Sequence, residues 1–292
     1  MKTGYVLYNL KAGYNTTTED IKALDAVMDT PLKYIDLESI KNYRVFLSGL
    51  DADDYLILCG GDGTLNRFVN DTENIPYTCQ VMYYPIGMGN DFAADLGYAK
   101  GCRPFPITEA IKKLPYAVIN GKKHRFLNGV GYGIDGYCCE VGDARKRTSG
   151  KKINYTSIAI QGLLFHYKPT RATVTVDGNS RTYEKVWLAP TMHGRFYGGG
   201  MMPTPQQDRQ NKEQTLSAMV FHGSGKLKTL MIFPSIFKGA HIKHTAQIDI
   251  LIGDEITVEF DRPTALQVDG ETILNVTSYT AVSAAKAEKE TK

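Results

Sequence analysis

The 292 residues, of which 42% are hydrophobic and 22% charged, have the composition of a globular protein with one large or two ordinary domains. The net charge of +3 excludes a chain devoted to nucleic-acid binding, so we expect no nucleic-acid partner. There is no run of about 18 apolar residues and no signal-peptide core, so we expect a cytoplasmic protein that contacts a membrane only peripherally.

Residues 3–115 alternate between strand and helix patterns. In chain order, the predicted elements are strand YVLYNL, helix TTEDIKALDAVMD capped by Thr17 or Thr18, strand LKYIDL, a helix near 38–48, strand YLILC, helix TLNRFVND and strand QVMYYPI. This order predicts a parallel sheet with helices on both faces and ligands at the carboxyl ends of its strands. Three glycine-bearing loops stand at such ends, and we expect them to meet in one cleft: NLKAG (9–13), GGDGT (60–64) and PIGMGNDF (85–92).

Strand patterns dominate from about residue 120. The predicted strands are HRFLNGV, RATVTVDGNSRTYEKVWLAPTM with a hairpin at 177–179, TLSAMVFH, AQIDILIG, EITVEFD, ALQVDG and ILNVTSY. Helices are predicted at 137–165, with a break at Ser149 and Gly150, and at 225–238. We therefore predict a first domain at 1–119, a mainly antiparallel domain at 120–282 and a flexible tail at 283–292.

The turn GGDGT places a carboxylate where a phosphate would be expected. Glycines between a strand and a helix let the main chain approach phosphate closely, and the helix start favours anions. Asp62 is itself an anion, and Thr64 is suited to cap the helix that follows. Two interpretations stay open: a tight turn in which Asp62 caps a helix, or a site where a cation joins Asp62 to a polyphosphate.

The turn GMGNDF contributes Asn90 as a polar group and Asp91 as a second acid. Two acids from adjacent loops can form the outer shell of one Mg²⁺ ion, which prefers oxygen ligands and retains waters. Asp91 is equally suited to be the N-cap of a helix beginning FAADLG, and the two roles are compatible.

Two stretches imitate nucleotide-binding motifs. HGSGKLKT (222–229) lacks the first glycine of a Walker loop, where Val220 stands, and its Ser or Thr, where Leu227 stands. We interpret it as a helix start. GYGIDG (131–136) matches GxGxxG, but no acid follows at about 20 residues to hold a ribose, which argues against dinucleotide binding.

Two further stretches each allow two interpretations. VDGET (268–272) is either an exposed hairpin turn or a turn that brings Glu271 to the cleft as a general base. The basic stretch ARKRTSGKK (144–152) is either a solvated helix end or a contact with an anionic membrane surface.

Together these motifs resemble the soluble bacterial diacylglycerol kinase and lipid kinase family, relatives of sphingosine kinases, NAD kinases and phosphofructokinases. The resemblance extends over nearly the whole chain in the family's order: NLKAG, GGDGTLN, PIGMGNDFA, NGKKHRFLNGVGYGID, GGGMMPTP and VDGE. GGDGT is shared with NAD kinases, whereas NDFA and VDGE favour a lipid kinase. The resemblance implies an N-terminal three-layer α/β domain that binds ATP and a C-terminal β-sandwich domain, with Mg²⁺ and a lipid that carries a free hydroxyl.

Residue roles follow from the resemblance. Asp62 and Glu271 would be catalytic, with Glu271 as the base that takes the proton from the lipid hydroxyl. Asp62, and Asp91 through water, would hold Mg²⁺. The implied nucleotide-binding residues are Asn9, Lys11, Gly60, Gly61, Asp62, Gly63, Thr64, Leu65, Asn66, Gly89 and Asn90.

The chain departs from the family at four places. Leu10 replaces a proline, Met88 replaces a threonine, and LPYAV (114–118) lacks the usual acid. DRQNKEQTLS (208–217) replaces the family's Asp-Gly-x-Leu metal segment, which leaves Asp208 as the candidate ligand there. We therefore predict that fewer protein side chains surround the metal than is usual in the family.

An ATP- and Mg²⁺-dependent lipid kinase is the first hypothesis; an NAD kinase-like small-molecule kinase and a nucleotide-binding pseudokinase are the alternatives. The oligomeric state, a dimer included, stays open.

Overall fold

A computed structural model describes residues 2–9, 17–149 and 155–290. The chain forms two compact units, Met1–Lys113 and Leu114–Lys292. The first unit is built on a five-stranded sheet of order β2-β1-β3-β4-β5, in which β5 alone is antiparallel to its neighbour. Its strands are β1 (Gly4–Tyr8), β2 (Leu32–Asp36), β3 (Tyr55–Gly60), β4 (Gln80–Pro85) and β5 (Phe105–Pro106). All six residues of the central strand β3 are buried, as its apolar run predicts.

The helices of the first unit are α1 (Thr18–Lys22), α2 (Tyr43–Ser48), α3 (Asp62–Asp71), α4 (Asp91–Asp95) and α5 (Thr108–Lys112). Thr17 caps α1 as predicted, because its hydroxyl accepts from the Asp20 N–H in a capping box. The predicted helix near 38–48 is divided. A 3₁₀ turn at Leu37–Ser39 precedes α2, which starts only after Asn42 because that side chain accepts from the Val45 N–H.

The second unit is built on ten strands, each paired antiparallel with its neighbours, which confirms the mainly antiparallel architecture. They are β6 (Tyr116–Ile119), β7 (Lys122–Arg125), β8 (Gly129–Tyr132), β9 (Thr170–Val176), β10 (Asn179–Val186), β11 (Thr191–Met192), β12 (Leu216–Phe221), β13 (Ile248–Gly253), β14 (Glu255–Val268) and β15 (Glu271–Val282). The pairing runs β13-β12-β11-β8-β14-β15-β6-β7, with β9 joining β14 to β10.

Strand β14 organises this unit because its two halves have different partners. Residues 256–260 pair with β9 and residues 266–268 pair with β8, whereas β15 runs along the other edge of both halves. The register with β15 shifts between Glu259 and Leu266. Such irregularities bend a strand, so the sheet turns around one buried cluster that draws residues from seven of the ten strands.

The helical elements of the second unit are α6 (Ile134–Ser149), α7 (Tyr155–Gln161), a π-helical turn (Gly162–His166), α8 (Lys226–Ile232), 3₁₀ turns at Phe233–Lys238 and Ala240–Lys243, and α9 (Ala284–Glu290). Helix α6 ends at Ser149, next to the predicted break, whose Gly150 lies outside the described residues. The predicted helix at 225–238 is confirmed as α8 and the turn that continues it. No helix in the described ranges combines the length and the apolarity needed to cross a membrane.

Two structural details bear on the expected domain limits, which stay a prediction. Residues 116–119, which we predicted in the first domain, form β6 and pair with β15 and β7, so the second unit already begins at Leu114. Within the predicted tail, residues 284–290 form α9. The Ser283 hydroxyl accepts from the Lys286 N–H, and the Lys286 ammonium lies 2.9 Å from the Glu255 carboxylate, which ties this helix to the start of β14.

Candidate active site

Two glycine turns of the first unit are joined by main-chain hydrogen bonds. One follows β3 and the other follows β4. The Gly60 carbonyl accepts from the N–H groups of Ile86, at 3.1 Å, and Gly87, at 3.0 Å. In return, the Asp62 N–H donates to the Gly89 carbonyl at 3.0 Å. The predicted meeting of the second and third glycine-bearing loops is therefore confirmed.

Direct main-chain contact explains why this place needs glycine. A Cβ on Gly87 would stand 2.2 Å from the Gly61 Cα and 2.3 Å from its nitrogen. A Cβ on Gly61 would stand 2.6 Å from the Gly89 carbonyl oxygen. Gly63 differs, because no atom lies within 4 Å of the position its Cβ would take. Gly61 and Gly87 are thus fixed by packing, whereas Gly63 leaves open space at the start of α3.

Asp62 lies in the first turn of α3 and caps another helix. Its carboxylate accepts from the N–H groups of Asp91, at 2.7 Å, and Phe92, at 3.2 Å, which are the first two residues of α4. The first N–H groups of a helix point out of its end, where they favour a negative charge. Of the two interpretations of this carboxylate, the capping role is therefore observed, and the charge is stabilised by the main chain.

Two expected helix caps are wrong because both helices begin earlier than expected. Helix α3 begins at Asp62, after Gly61 as N-cap, so Thr64 lies inside the helix. Helix α4 has Asn90 as its N-cap, and Asp91 is its first residue. Because Asp62 supplies the acceptors for α4, neither Asn90 nor Asp91 is needed for that purpose. The Asn90 side chain instead donates to the Gly87 carbonyl at 2.8 Å.

The turn between β4 and α4 leaves one acceptor for a ligand. The Oδ1 atom of Asn90 is buried and has no hydrogen-bond partner among the described residues. Asp62 and Asp91 are both buried. No group of three His, Cys, Asp or Glu side chains in the described ranges could hold a metal ion. The donor set therefore fits a Mg²⁺ ion that takes most of its ligands from water and phosphate, with these side chains outside.

The remaining residues that we predicted to contact the nucleotide differ in their position and burial. Asn9 follows β1 directly, whereas Lys11 lies outside the described residues. Thr64 and Asn66 are buried in α3. Leu65 is a core residue. Its side chain is fully buried and its N–H donates to the Gly61 carbonyl, so it has no side-chain group to offer a nucleotide.

Glu271 stands in the second unit at the first position of β15. Asp269 and Gly270 have φ angles of 46° and 91°, as a two-residue turn between twisted strands requires. Val268 pairs with Glu271 across that turn, and the Glu271 side chain is exposed. The predicted hairpin is confirmed, whereas the role of Glu271 as a base stays a prediction.

Asp269 fixes this hairpin to a distant part of the chain. Its carboxylate accepts from three successive N–H groups, those of Leu127, Asn128 at 2.8 Å and Gly129 at 3.1 Å. These bonds draw residues 126–128 away from strand pairing, so the predicted single strand HRFLNGV is observed as β7 and β8. Sequence patterns do not show such a long-range contact.

The role of Asp208 as a metal ligand stays a prediction. Its side chain is exposed, and its Oδ1 accepts from the Gln210 N–H at 2.9 Å. The neighbouring Arg209 is buried and donates to the Leu127 carbonyl at 2.9 Å and to the Asn128 Oδ1 at 2.8 Å. The described residues hold no three-ligand group here. The positive charge that this segment buries is therefore the guanidinium of Arg209.

We expect Asp269→Asn to lower the free energy of unfolding of the second unit by about 3 kcal/mol, because an amide cannot accept all three N–H groups. Trp187 is the only tryptophan, lies in this unit and is 1% exposed, so its fluorescence during urea unfolding measures the change. The matched control is Glu271→Gln, two residues away and exposed, which should shift stability by less than about 0.5 kcal/mol. An equal stability of the two variants would contradict this role of Asp269.

A buried acid in GYGIDG was missed by the sequence analysis. Asp135 lies at the start of α6, shortly after β8, and burial raises the pKa of its carboxyl to about 6. The carboxylate accepts from the Gly136 N–H at 2.9 Å and from the Tyr197 hydroxyl at 3.2 Å. A Cβ on Gly131 would stand 1.6 Å from its Oδ2 atom. An acid in the glycine-containing turn that follows a strand, as at Asp62, is the signal that could have found it.

Comparison with known proteins places both units in one family. Residues 3–119 match the diacylglycerol kinase catalytic domain, and residues 128–285 match the YegS C-terminal NAD kinase beta sandwich-like domain. The chain is 27% identical over 249 residues to "Putative lipid kinase SAS0691" of Staphylococcus aureus (strain MSSA476), covering 82% of this chain and 76% of that protein. It is 25% identical over 197 residues to a diacylglycerol kinase of Mycobacterium tuberculosis (strain ATCC 25618 / H37Rv), covering 65% and 62%.

The fold is also that of a solved structure. A crystal structure of a "putative diacylglycerol kinase" from Bacillus anthracis str. Sterne matches with a TM-score of 0.69 at 20% identity, over 97% of this chain and 93% of that one. Because the C-terminal family model alone matches more than half of the chain, and the catalytic model matches most of the rest, the chain belongs to the diacylglycerol kinase and lipid kinase family.

Proposed function

We propose that this protein is an ATP- and Mg²⁺-dependent kinase that phosphorylates a hydroxyl of diacylglycerol or a related lipid. The observation that carries the proposal is the pair of joined glycine turns, which bring Asp62 and Asp91 together in a chain of the diacylglycerol kinase family. Kinases of this family use ATP as co-substrate, and the glycines leave room for its phosphates beside α3.

Phosphoryl transfer depends on positioning and on neutralising charge. The start of α3 and the open space at Gly63 would receive phosphate oxygens. Asp62, already bonded to α4, would orient waters of the magnesium shell together with Asp91 and the Asn90 Oδ1 atom. Mg²⁺ would supply positive charge to the phosphates when bound.

Glu271 is the proposed base. The lipid hydroxyl oxygen forms a bond to the γ-phosphorus, the bond from that phosphorus to the bridging oxygen of ADP breaks, and the hydroxyl proton passes to the Glu271 carboxylate. The side chain is exposed and its hairpin is held by Asp269, so the carboxylate is accessible and its main chain is fixed.

One observation supports the pseudokinase alternative. Met88 is 50% exposed in the turn that follows β4, at the place where the family has a threonine hydroxyl. A thioether cannot donate a hydrogen bond to a nucleotide. This alternative expects ATP binding without turnover on any lipid.

We expect purified protein, given labelled ATP, Mg²⁺ and a total lipid extract, to yield a labelled phospholipid, and Glu271→Gln to abolish that product while its unfolding curve stays unchanged. The variant keeps the side-chain shape but cannot take a proton. Full activity of Glu271→Gln would remove the proposed base. Label on a water-soluble acceptor without lipid would instead support the NAD kinase-like alternative.

A further inference from the structure

Two helical segments of the second unit expose large apolar side chains. Phe165 in the π-helical turn is 73% exposed, and Leu227 and Met231 of α8 are 75% and 74% exposed. Single exposed apolar residues are common on proteins, but a cluster of them marks an interaction site. We call these three residues the apolar patch.

The two segments are neighbours in the fold. The Lys226 ammonium at the start of α8 donates to the Leu164 carbonyl of the π-helical turn at 2.8 Å. Leu227 and Met231 are four residues apart and therefore share one face of α8. Thr229 and Ile232 are buried on the opposite side. The outer face of α8 thus continues the exposed surface at Phe165.

The longer stretches of sequence that contain these two segments carry positive charge and no acid. Residues 214–248 contain no Asp or Glu, and neither do residues 144–176. The lysines and arginines of these two stretches are Arg145, Lys146, Arg147, Lys151, Lys152, Lys168, Arg171, Lys226, Lys228, Lys238 and Lys243. The basic stretch 144–152 belongs to the first of them, and its part from 150 to 152 lies outside the described residues.

Positive charge also lines a nearby cavity. A cavity of about 360 Å³ in the second unit is lined by His166, which follows Phe165, and by Lys168 and Arg262, and Glu140 is the only acid among its described lining residues. The Arg262 guanidinium donates to the Lys168 carbonyl, which holds the two cationic residues side by side. Anionic groups are therefore favoured both beside the apolar patch and in this cavity.

We propose that the apolar patch docks the protein on an anionic bilayer surface. Apolar side chains among lysines fit a bilayer interface, since the side chains enter the acyl region while the lysines remain with anionic headgroups. A second copy of this chain is a poor partner, because it would bring the same positive charges to the same surface. The inference extends the proposed function, since a lipid substrate lies in a bilayer.

Vesicle sedimentation tests the proposal without ATP. We expect the wild type to bind phosphatidylcholine vesicles that contain phosphatidylglycerol, and the triple variant Phe165→Ser, Leu227→Ser, Met231→Ser to bind at least about tenfold more weakly. The matched control is Val45→Ser with Ile252→Ser, whose side chains are 67% and 63% exposed outside the patch. This control should bind like the wild type.

Charge is tested separately. Lys228→Gln with Lys238→Gln should weaken binding to the anionic vesicles about tenfold or more, and added salt should erase the difference. Unchanged binding of the triple serine variant would overturn the proposal. So would wild-type dimers in solution that the same variant dissociates, because the patch would then be a contact between copies.

Kinase activity on dissolved and on vesicle-bound lipid distinguishes a failure of membrane docking from a failure of the proposed function. The triple serine variant should phosphorylate short-chain diacylglycerol in solution like the wild type and lose activity only on vesicles. If no lipid is phosphorylated but vesicle binding still requires the patch, the proposed function fails and the docking surface stands.

Discussion

Replacing Gly87 by alanine is expected to lower the free energy of unfolding of the first unit by about 3 kcal/mol and to abolish ATP binding. The new Cβ would stand 2.2 Å from the Gly61 Cα, and main chain cannot rotate away as a side chain can. The turns would have to separate, which breaks the bonds from the Ile86 and Gly87 N–H groups to the Gly60 carbonyl. Urea unfolding followed by far-UV circular dichroism measures the loss, with Trp187 fluorescence as an internal reference for the second unit.

Gly63→Ala is the matched control, since it adds the same methyl group to the same site. Nothing lies within 4 Å of the new Cβ, and alanine is favoured over glycine inside a helix by about 1 kcal/mol. We expect this variant to be at least as stable as the wild type. If ATP phosphates lie at the start of α3, it should nevertheless bind ATP more weakly, which calorimetry would show.

The two variants therefore separate structure from ligand binding. Wild-type stability of Gly87→Ala would show that the turns need not be in main-chain contact. Wild-type ATP affinity of the stable Gly63→Ala protein would place the phosphates elsewhere.

Local patterns were sufficient for the elements around this site. The apolar run of β3, the glycines after it and the helix pattern from Thr64 onward predicted a strand, a turn and a helix in the right order. The capping arrangement could not be predicted in this way. Asp62 accepts from N–H groups 29 and 30 residues away, and this contact exists only after β3 and β4 have paired. A carboxylate next to glycines has the same local sequence whether it caps its own helix or a distant one.

Contacts in the second unit are also long-range. Residues 116–119 pair with β15, more than 150 residues away. Asp269 likewise divides a predicted strand by bonds to residues 140 to 142 positions earlier. Antiparallel pairing over such separations leaves little trace in any short window, whereas the hairpin turn at Asp269 and Gly270 was predictable because its signal is local.

Asp135→Asn is expected to make the second unit more stable at neutral pH and to leave it nearly unchanged in acid. Burial raises the pKa of Asp135 from its usual 3.8 to about 6 in the folded protein, so between these values the folded state holds more protons than the unfolded chain. The contribution of this group to stability is therefore complete below about pH 4 and is lost as the pH rises through about 6, in total roughly 3 kcal/mol. An asparagine does not titrate, so the variant avoids that loss.

The test compares urea unfolding of the two proteins by Trp187 fluorescence at about pH 4.5, 6 and 7.5. The gain from Asp135→Asn should grow with pH across this range. Asp208→Asn, an exposed acid of the same unit, should show no such growth. If the gain in the free energy of unfolding does not depend on pH, Asp135 has the same charge at all three pH values. A gain that grows with pH would instead identify a carboxyl that exchanges its proton near neutral pH. Acids in functional sites often have this property, although it lowers the stability of the protein. Because the Tyr197 hydroxyl donates to this carboxylate, Tyr197→Phe should raise the folded-state pKa further and move the same pH dependence upward.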